Sequence, residues 1–63
     1  MGEKIRAYLD SHGIKQSFVA EQTGLPYQVI SDICLKGRKV EVTEYFKICK
    51  ALGLPLDFFD DEE

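Results

Sequence analysis

Side chains capable of covalent chemistry are few in this sequence and do not assemble into a catalytic pattern. His12 is the only histidine among 63 residues. It stands beside Gly13 at the end of an apolar-periodic stretch, where no nearby nucleophile forms a recognisable pair with it. Cys34 and Cys49 lack the C-x-x-C spacing of a zinc site and are too few for the disulfide framework of a small secreted domain. Both fall on apolar helical faces, where a thiol behaves as a small hydrophobe, so a redox switch is the weaker reading. No metal or cofactor is expected. What remains is non-covalent chemistry. Gln28, Ser31 and Asp32 carry hydrogen-bonding groups at helical spacing, and the cations Lys36, Arg38 and Lys39 follow closely. An amide with a donor and an acceptor side by side, next to clustered cations, is suited to reading a hydrogen-bonding edge and neutralising anions.

These residues need helices to position them, and the punctuation of the chain supplies the boundaries. Gly13, Gly24, Pro26, Gly37, Gly53 and Pro55 cut the sequence into five stretches, each of a length suited to a short helix. From Glu3 to His12, Ile5, Tyr8 and Leu9 recur at i, i+3, i+4. Val19, Ala20 and Thr23, at i, i+1 and i+4, share one helical face between Gln16 and Thr23. The i, i+3, i+4 spacing returns with Ile30, Ile33 and Cys34 between Tyr27 and about Leu35. From Val42 to Leu52, Tyr45, Ile48, Cys49 and Leu52 form the longest stripe. The fifth stretch, Pro55 to Asp60, starts with proline at a plausible first helical position and carries Phe58 and Phe59. No stretch sustains period-2 alternation, so the expectation is an all-α domain of five short helices over residues 1–59, followed by an acidic tail at 60–63. Helix capping looks weak, because Lys15 and Glu41 occupy N-cap positions where Ser, Thr, Asp or Asn are favoured.

Composition sets outer limits. Apolar residues make up 44% of the chain and charged residues 30%, a globular balance, but a chain this short buries only about 60% of its unfolded surface and leaves no room for a deep cleft. The start, Met-Gly-Glu-Lys-Ile-Arg, lacks the apolar core of a signal peptide, and no apolar run approaches the ~20 residues that span a bilayer. A soluble cytoplasmic protein with reduced thiols and no membrane partner is expected. The net charge of −3 hides an asymmetry. All eight Lys and Arg lie within residues 1–56 against six acids, a balance of +2, whereas residues 57–63 add five acids and no base. A local basic surface around Lys36, Arg38 and Lys39 is compatible with that distribution.

The most informative stretch runs from Gly13 to Ile33, two short helical segments with Gly24 between them. Ala20 is small enough for close helix packing, and Gly24, four residues later, permits a tight change of direction. A pair held at a steep angle projects its second helix outward, and a helix of that diameter fits the DNA major groove. At about 100° per residue, Gln28, Ser31, Asp32 and Leu35 point away from the Ile30, Ile33 and Cys34 stripe, with Tyr27 nearer the flank. Gln28 can bond bidentately to adenine, a contact worth ~1–3 kcal/mol of discrimination; the bland alternative is a solvated helix glutamine. Lys36, Arg38 and Lys39 can neutralise phosphates or simply form a charged loop. Asp32 can accept from a cytosine amino group, but an i,i+4 pair with Lys36 is the preferred reading.

The chain resembles the phage Cro and repressor family of helix-turn-helix domains, the lambda-repressor-like or xenobiotic-response-element type. The resemblance rests on Ile5 and Tyr8, Gly13-Ile14, Gln16, Val19-Ala20, Gly24-Leu25, Ile30-Ser31, Ile33, and the run Ile48 to Leu54. It implies a five-helix fold, binding to short palindromic double-stranded DNA operators, commonly a homodimer, and a role as a small transcriptional regulator, in the first instance a repressor. It also implies that Gln16, flanked by Lys15 and Ser17, contacts the phosphate backbone, and that Tyr27, Gln28, Ser31 and Asp32 form the base-reading surface. Two departures stand out. Between Ile33 and Gly37 the chain has Cys-Leu-Lys, one residue more than the family's usual Ile-Glu-x-Gly. The family often pairs an arginine in its first helix with that glutamate, and the matching positions here are Leu9 and Cys34, both apolar. Replacing a buried ion pair by packed apolar groups is often neutral or stabilising, which makes Leu9 and Cys34 a substituted core contact.

The rival reading is a protein-interaction module such as a toxin-neutralising antitoxin. Its surface for a partner, or for a second copy, would include Leu54, Leu56 and Phe58, with Phe59 and the acidic tail. At least one of Phe58 and Phe59 is expected to close the core, since a domain this small needs its large apolar residues. Phe18 is a second candidate contact, or packs on Tyr27. The tail is either solvated or suppresses non-specific DNA binding.

Overall fold

A computed structural model describes residues 1–59. It contains, among those residues, four helices and no strand: α1 (Gly2–Ser11), α2 (Gln16–Thr23), α3 (Tyr27–Leu35) and α4 (Val42–Leu52). Their limits follow local chemistry. At the end of α1 the Ile14 N–H bonds to the Leu9 carbonyl (2.8 Å) and the Gly13 N–H to that of Asp10 (3.3 Å). The end of α4 repeats the arrangement, with Leu54 on Cys49 (2.9 Å) and Gly53 on Lys50 (3.2 Å). Carbonyls that a helix end leaves unpaired are thereby satisfied in the same way twice. The start of α4 is better capped than its residue types suggest. Glu44, in the first turn, turns its carboxylate back to accept the Glu41 backbone N–H at 3.1 Å, the returning half of a capping box.

α3 lies at the centre, packed on both α1 and α2, while α2 also packs on α4. The core gathers Ile5 and Leu9 of α1, Val19 and Ala20 of α2, Ile30, Ile33 and Cys34 of α3, Ile48 and Cys49 of α4, and Phe59. Leu9 and Cys34 are both buried within this cluster, so apolar groups fill the space where the family's ion pair is expected. Burial pushes the Cys34 thiol above its ordinary pKa, with Arg6 opposing and Asp10 assisting. Gly2 permits a close approach of backbone to backbone. A Cβ at that position would stand 2.2 Å from the Ile33 carbonyl oxygen, so the absence of a side chain lets the start of α1 lie against α3.

The fifth helix expected over Pro55 to Asp60 is replaced, within the described residues, by a turn. The Phe58 N–H reaches the Pro55 carbonyl at 3.1 Å, and the segment is then held by a side chain from another element. The Tyr45 hydroxyl donates to the Leu56 carbonyl and accepts the Phe59 N–H at 3.3 Å. Starting a helix fixes several dihedrals for each early hydrogen bond, and so short a segment gains little from propagation. Its position is set by Phe59, which is 2% exposed and edges onto Tyr8 and Tyr45. The acidic tail at 60–63 lies outside the described residues.

Candidate nucleic-acid interface

The unit that presents α3 is built around Gly24. Its φ of +76° lies in the left-handed region that only glycine enters without strain, and its N–H closes α2 on the Ala20 carbonyl at 2.9 Å. Thr23 reinforces the corner: its hydroxyl hydrogen lies within reach of the Val19 carbonyl (2.8 Å) and the Ala20 carbonyl (3.2 Å), while its oxygen accepts the Leu25 N–H (3.2 Å). Pro26 then sets the extended entry to α3, and its carbonyl takes the first helical N–H groups, those of Val29 and Ile30.

With Ile30, Ile33 and Cys34 turned to the core, the rest of α3 faces outward. Tyr27 is 54% exposed and Leu35 52%. Gln28 is also exposed, whereas Ser31 and Asp32 are half-buried. Gln28 and Asp32 are directly connected: Gln28 Nε2 donates to Asp32 Oδ1 at 2.8 Å. Lys36 Nζ stands 3.9 Å from that same oxygen. One carboxylate thus joins a polar ladder along α3, with the amide one turn before it and the ammonium one turn after. The pair with Lys36 is the one expected from four-residue spacing; the bond to Gln28 obeys the same rule and is not among the expected contacts.

The start of α2 comes to the same side. Lys15, Gln16 and Ser17 line a groove of about 530 Å³ together with Asp10, Ile14, Tyr27 and Leu35, so three expected phosphate contacts and one expected base contact share a surface. First-turn N–H groups of a helix lack intrahelical partners and carry its positive dipole end, which suits this edge to an anion. The side-chain amide oxygen of Gln16, Oε1, is buried without a hydrogen-bond partner. Phe18, 47% exposed, adjoins Gly13, Ile14 and Lys15.

The three cations after α3 separate into two groups. Lys36 and Lys39 are exposed. Arg38 grips Glu44 with two bonds, Nη1 to Oε1 at 2.7 Å and Nη2 to Oε2 at 3.0 Å. Its backbone N–H also bonds to the Asp32 carbonyl at 3.1 Å. The hydrogen bond from Arg38 holds the Glu44 carboxyl below its ordinary pKa against the opposing effect of burial, with the Glu41 N–H assisting. The same bond raises Arg38. The sequence leads one to expect Arg38 among the phosphate contacts; in the fold its guanidinium ties the α3–α4 loop to α4. Glu44 was missed, although an acid three residues after a helix start is a capping signal.

In the segment after α4, Leu54 is half-buried against the core, while Leu56 and Phe58 are exposed. Phe58 edges onto Tyr8 at 5.3 Å, and His12 stacks on the other part of that cluster, 4.0 Å from the Tyr8 ring. The Ser11 hydroxyl lies 3.0 Å from His12 Nδ1, but Nδ1 is equally close to the Tyr8 carbonyl. A proton on Nδ1 satisfies that carbonyl and removes the nitrogen as a base for Ser11. Both residues are exposed at a helix end, an arrangement of surface hydrogen bonds rather than of a nucleophile and its base. Among the described residues, no helix is long and apolar enough to cross a membrane.

Neither curated proteins nor solved structures yield a match to the chain. A family model described as helix-turn-helix matches residues 5–59, a span that includes the Gly24 corner, the outward face of α3 and Phe59. On that match, the chain belongs to the Cro/C1-type helix-turn-helix family of DNA-binding regulators.

Proposed function

We propose that the chain is a sequence-specific repressor that inserts α3 into the DNA major groove and binds a short palindromic operator as a homodimer. The observation that carries this reading is the outward face of α3, where Tyr27 stands beside the α2 start and Gln28 is bonded to Asp32, on a helix anchored by its opposite face. A helix with its side chains is about 10–12 Å across, and the major groove is about 12 Å wide. Tyr27, Gln28 and Ser31 then meet base edges, with Asp32 beside them. Lys15, Gln16 and Ser17 approach phosphates from one side of the groove, and Lys36 and Lys39 from the end of α3. Arg38 shapes the loop that carries those lysines. Leu54, Leu56 and Phe58 supply apolar surface for the second copy.

A second reading is favoured by the exposure of Leu56 and Phe58, which are 52% and 48% exposed: an antitoxin-like module that engages a protein partner through this segment. Selection from a random duplex library separates the two. Recovery of a palindrome with half-sites about one helical turn apart is expected for the dimeric operator reader. Recovery of no motif, together with a co-purifying protein partner, would favour the second reading.

A further inference from the structure

We propose that Asp32 is a positioning residue that fixes the orientation of the Gln28 amide, and that it thereby makes A·T rather than G·C the pair preferred at the position Gln28 meets. This inference rests on the reading of α3 as the base-reading helix and adds to it the residue that holds the Gln28 amide in the orientation that selects adenine. The terminal torsion of a glutamine has two broad orientations of opposite polarity. A free Gln28 amide can therefore present either two donors or a donor and an acceptor to a base edge. Asp32 removes that freedom. An ionised carboxylate has only acceptors, so the atom held at 2.8 Å from Oδ1 is the nitrogen, Nε2, and Oε1 is turned away from the carboxylate.

The consequence is chemical. One Nε2 hydrogen is engaged by Asp32, which leaves one hydrogen and the Oε1 acceptor side by side. Adenine presents an N7 acceptor beside an N6 donor in the major groove, the complement of that pair. Guanine presents N7 and O6, two acceptors. Against guanine, Gln28 keeps one donor and turns Oε1 toward another oxygen. Gaining a second donor requires breaking the bond to Asp32. Lys36 Nζ, 3.9 Å from the same Oδ1, offsets the negative charge that Asp32 otherwise brings toward phosphates.

The test compares two duplexes that differ only by A·T against G·C at the position where Gln28→Ala relaxes preference. The wild-type protein is expected to favour A·T by about tenfold or more, within the range of a bidentate contact. Asp32→Ala is expected to reduce that ratio by about fivefold or more, with unchanged or tighter binding to random duplex because a negative charge has been lost. Asp32→Glu, which keeps an acceptor-only carboxylate, is expected to restore most of the ratio, whereas Asp32→Asn, whose amide can turn either a donor or an acceptor to Gln28, is expected to restore little of it. Thermal melting establishes that each variant is folded. A full wild-type ratio in Asp32→Ala overturns the proposal while leaving the role of α3 intact, provided that Gln28→Ala relaxes the preference. If Gln28→Ala relaxes no position, α3 does not read bases through this residue, and both readings are overturned.

Discussion

Two carboxylates of this chain, Asp32 and Glu44, take part in the same kind of contact and stand in opposite surroundings. Asp32 accepts from Gln28 on the outer face of α3, with its side chain 28% exposed and Lys36 nearby. Glu44 is 8% exposed and accepts two bonds from Arg38 and one from the Glu41 backbone. The outer contact is a single bond between residues on one helix, so its loss leaves the packing of that helix unaffected. The inner one joins a loop to a different helix, and its loss leaves the remaining partner partly buried and unpaired. Similar hydrogen-bond chemistry thus orders side chains at a surface and fixes the path of the chain in the interior, and burial decides between the two.

The largest effect is expected where an acid is introduced without a partner. Cys34→Glu places a carboxylate in the core beside Leu9, and an unpaired buried charge costs about 3–5 kcal/mol. Chemical denaturation should show that loss. The double variant Leu9→Arg with Cys34→Glu should recover part of it, whereas an unchanged midpoint in the single variant would show that position 34 is not packed against α1.

A smaller loss is expected at the inner carboxylate. Glu44→Ala should lower Tm by several degrees, more than Asp32→Ala does, because it leaves Arg38 and the Glu41 N–H without their acceptor. The pH dependence has a defined sign. Because the folded-state pKa of Glu44 is depressed, its contribution is complete above the ordinary glutamate range and is lost as pH falls through the lower, folded value. Glu44→Gln should therefore flatten the acid side of a stability–pH profile. A profile matching that of the wild type would show that Arg38 and Glu44 are not paired in solution.

The smallest effects are expected at the loop cations and require a salt series. Lys36→Ala and Lys39→Ala should each reduce the slope of log K against log salt by about 1, with little change in sequence preference. Arg38→Ala should instead lower Tm and leave that slope nearly constant. A slope change at Arg38 equal to that at Lys39 would return its guanidinium to the DNA and remove the contrast between the two carboxylates.

Much of the scaffold was legible along the chain. The apolar spacing and the glycine and proline punctuation placed α2 at Gln16–Thr23, α3 at about Tyr27–Leu35 and α4 at Val42–Leu52, the limits that the fold adopts, because each short helix displays its buried stripe in its own residue order. The outward-facing polar set on α3 was legible for the same reason, and so was the Asp32–Lys36 pair. The fifth helix misled because Pro55 resembles a helix start, while the conformation that follows depends on the Tyr45 hydroxyl and the burial of Phe59. No local pattern encodes those contacts.

The amino-acid order by itself determined the helical periods, the corner at Gly24 and the outward polarity of α3, since each depends on residues within one or two turns of each other. Only the tertiary structure decided that Arg38 serves the loop while Lys36 and Lys39 stay exposed, that Gly2 must lack a side chain beside Ile33, and that Phe59 closes the core while Phe58 remains at the surface. Those outcomes join residues separated by loops, and their energies come from desolvation and close packing, which arise only after the helices have met.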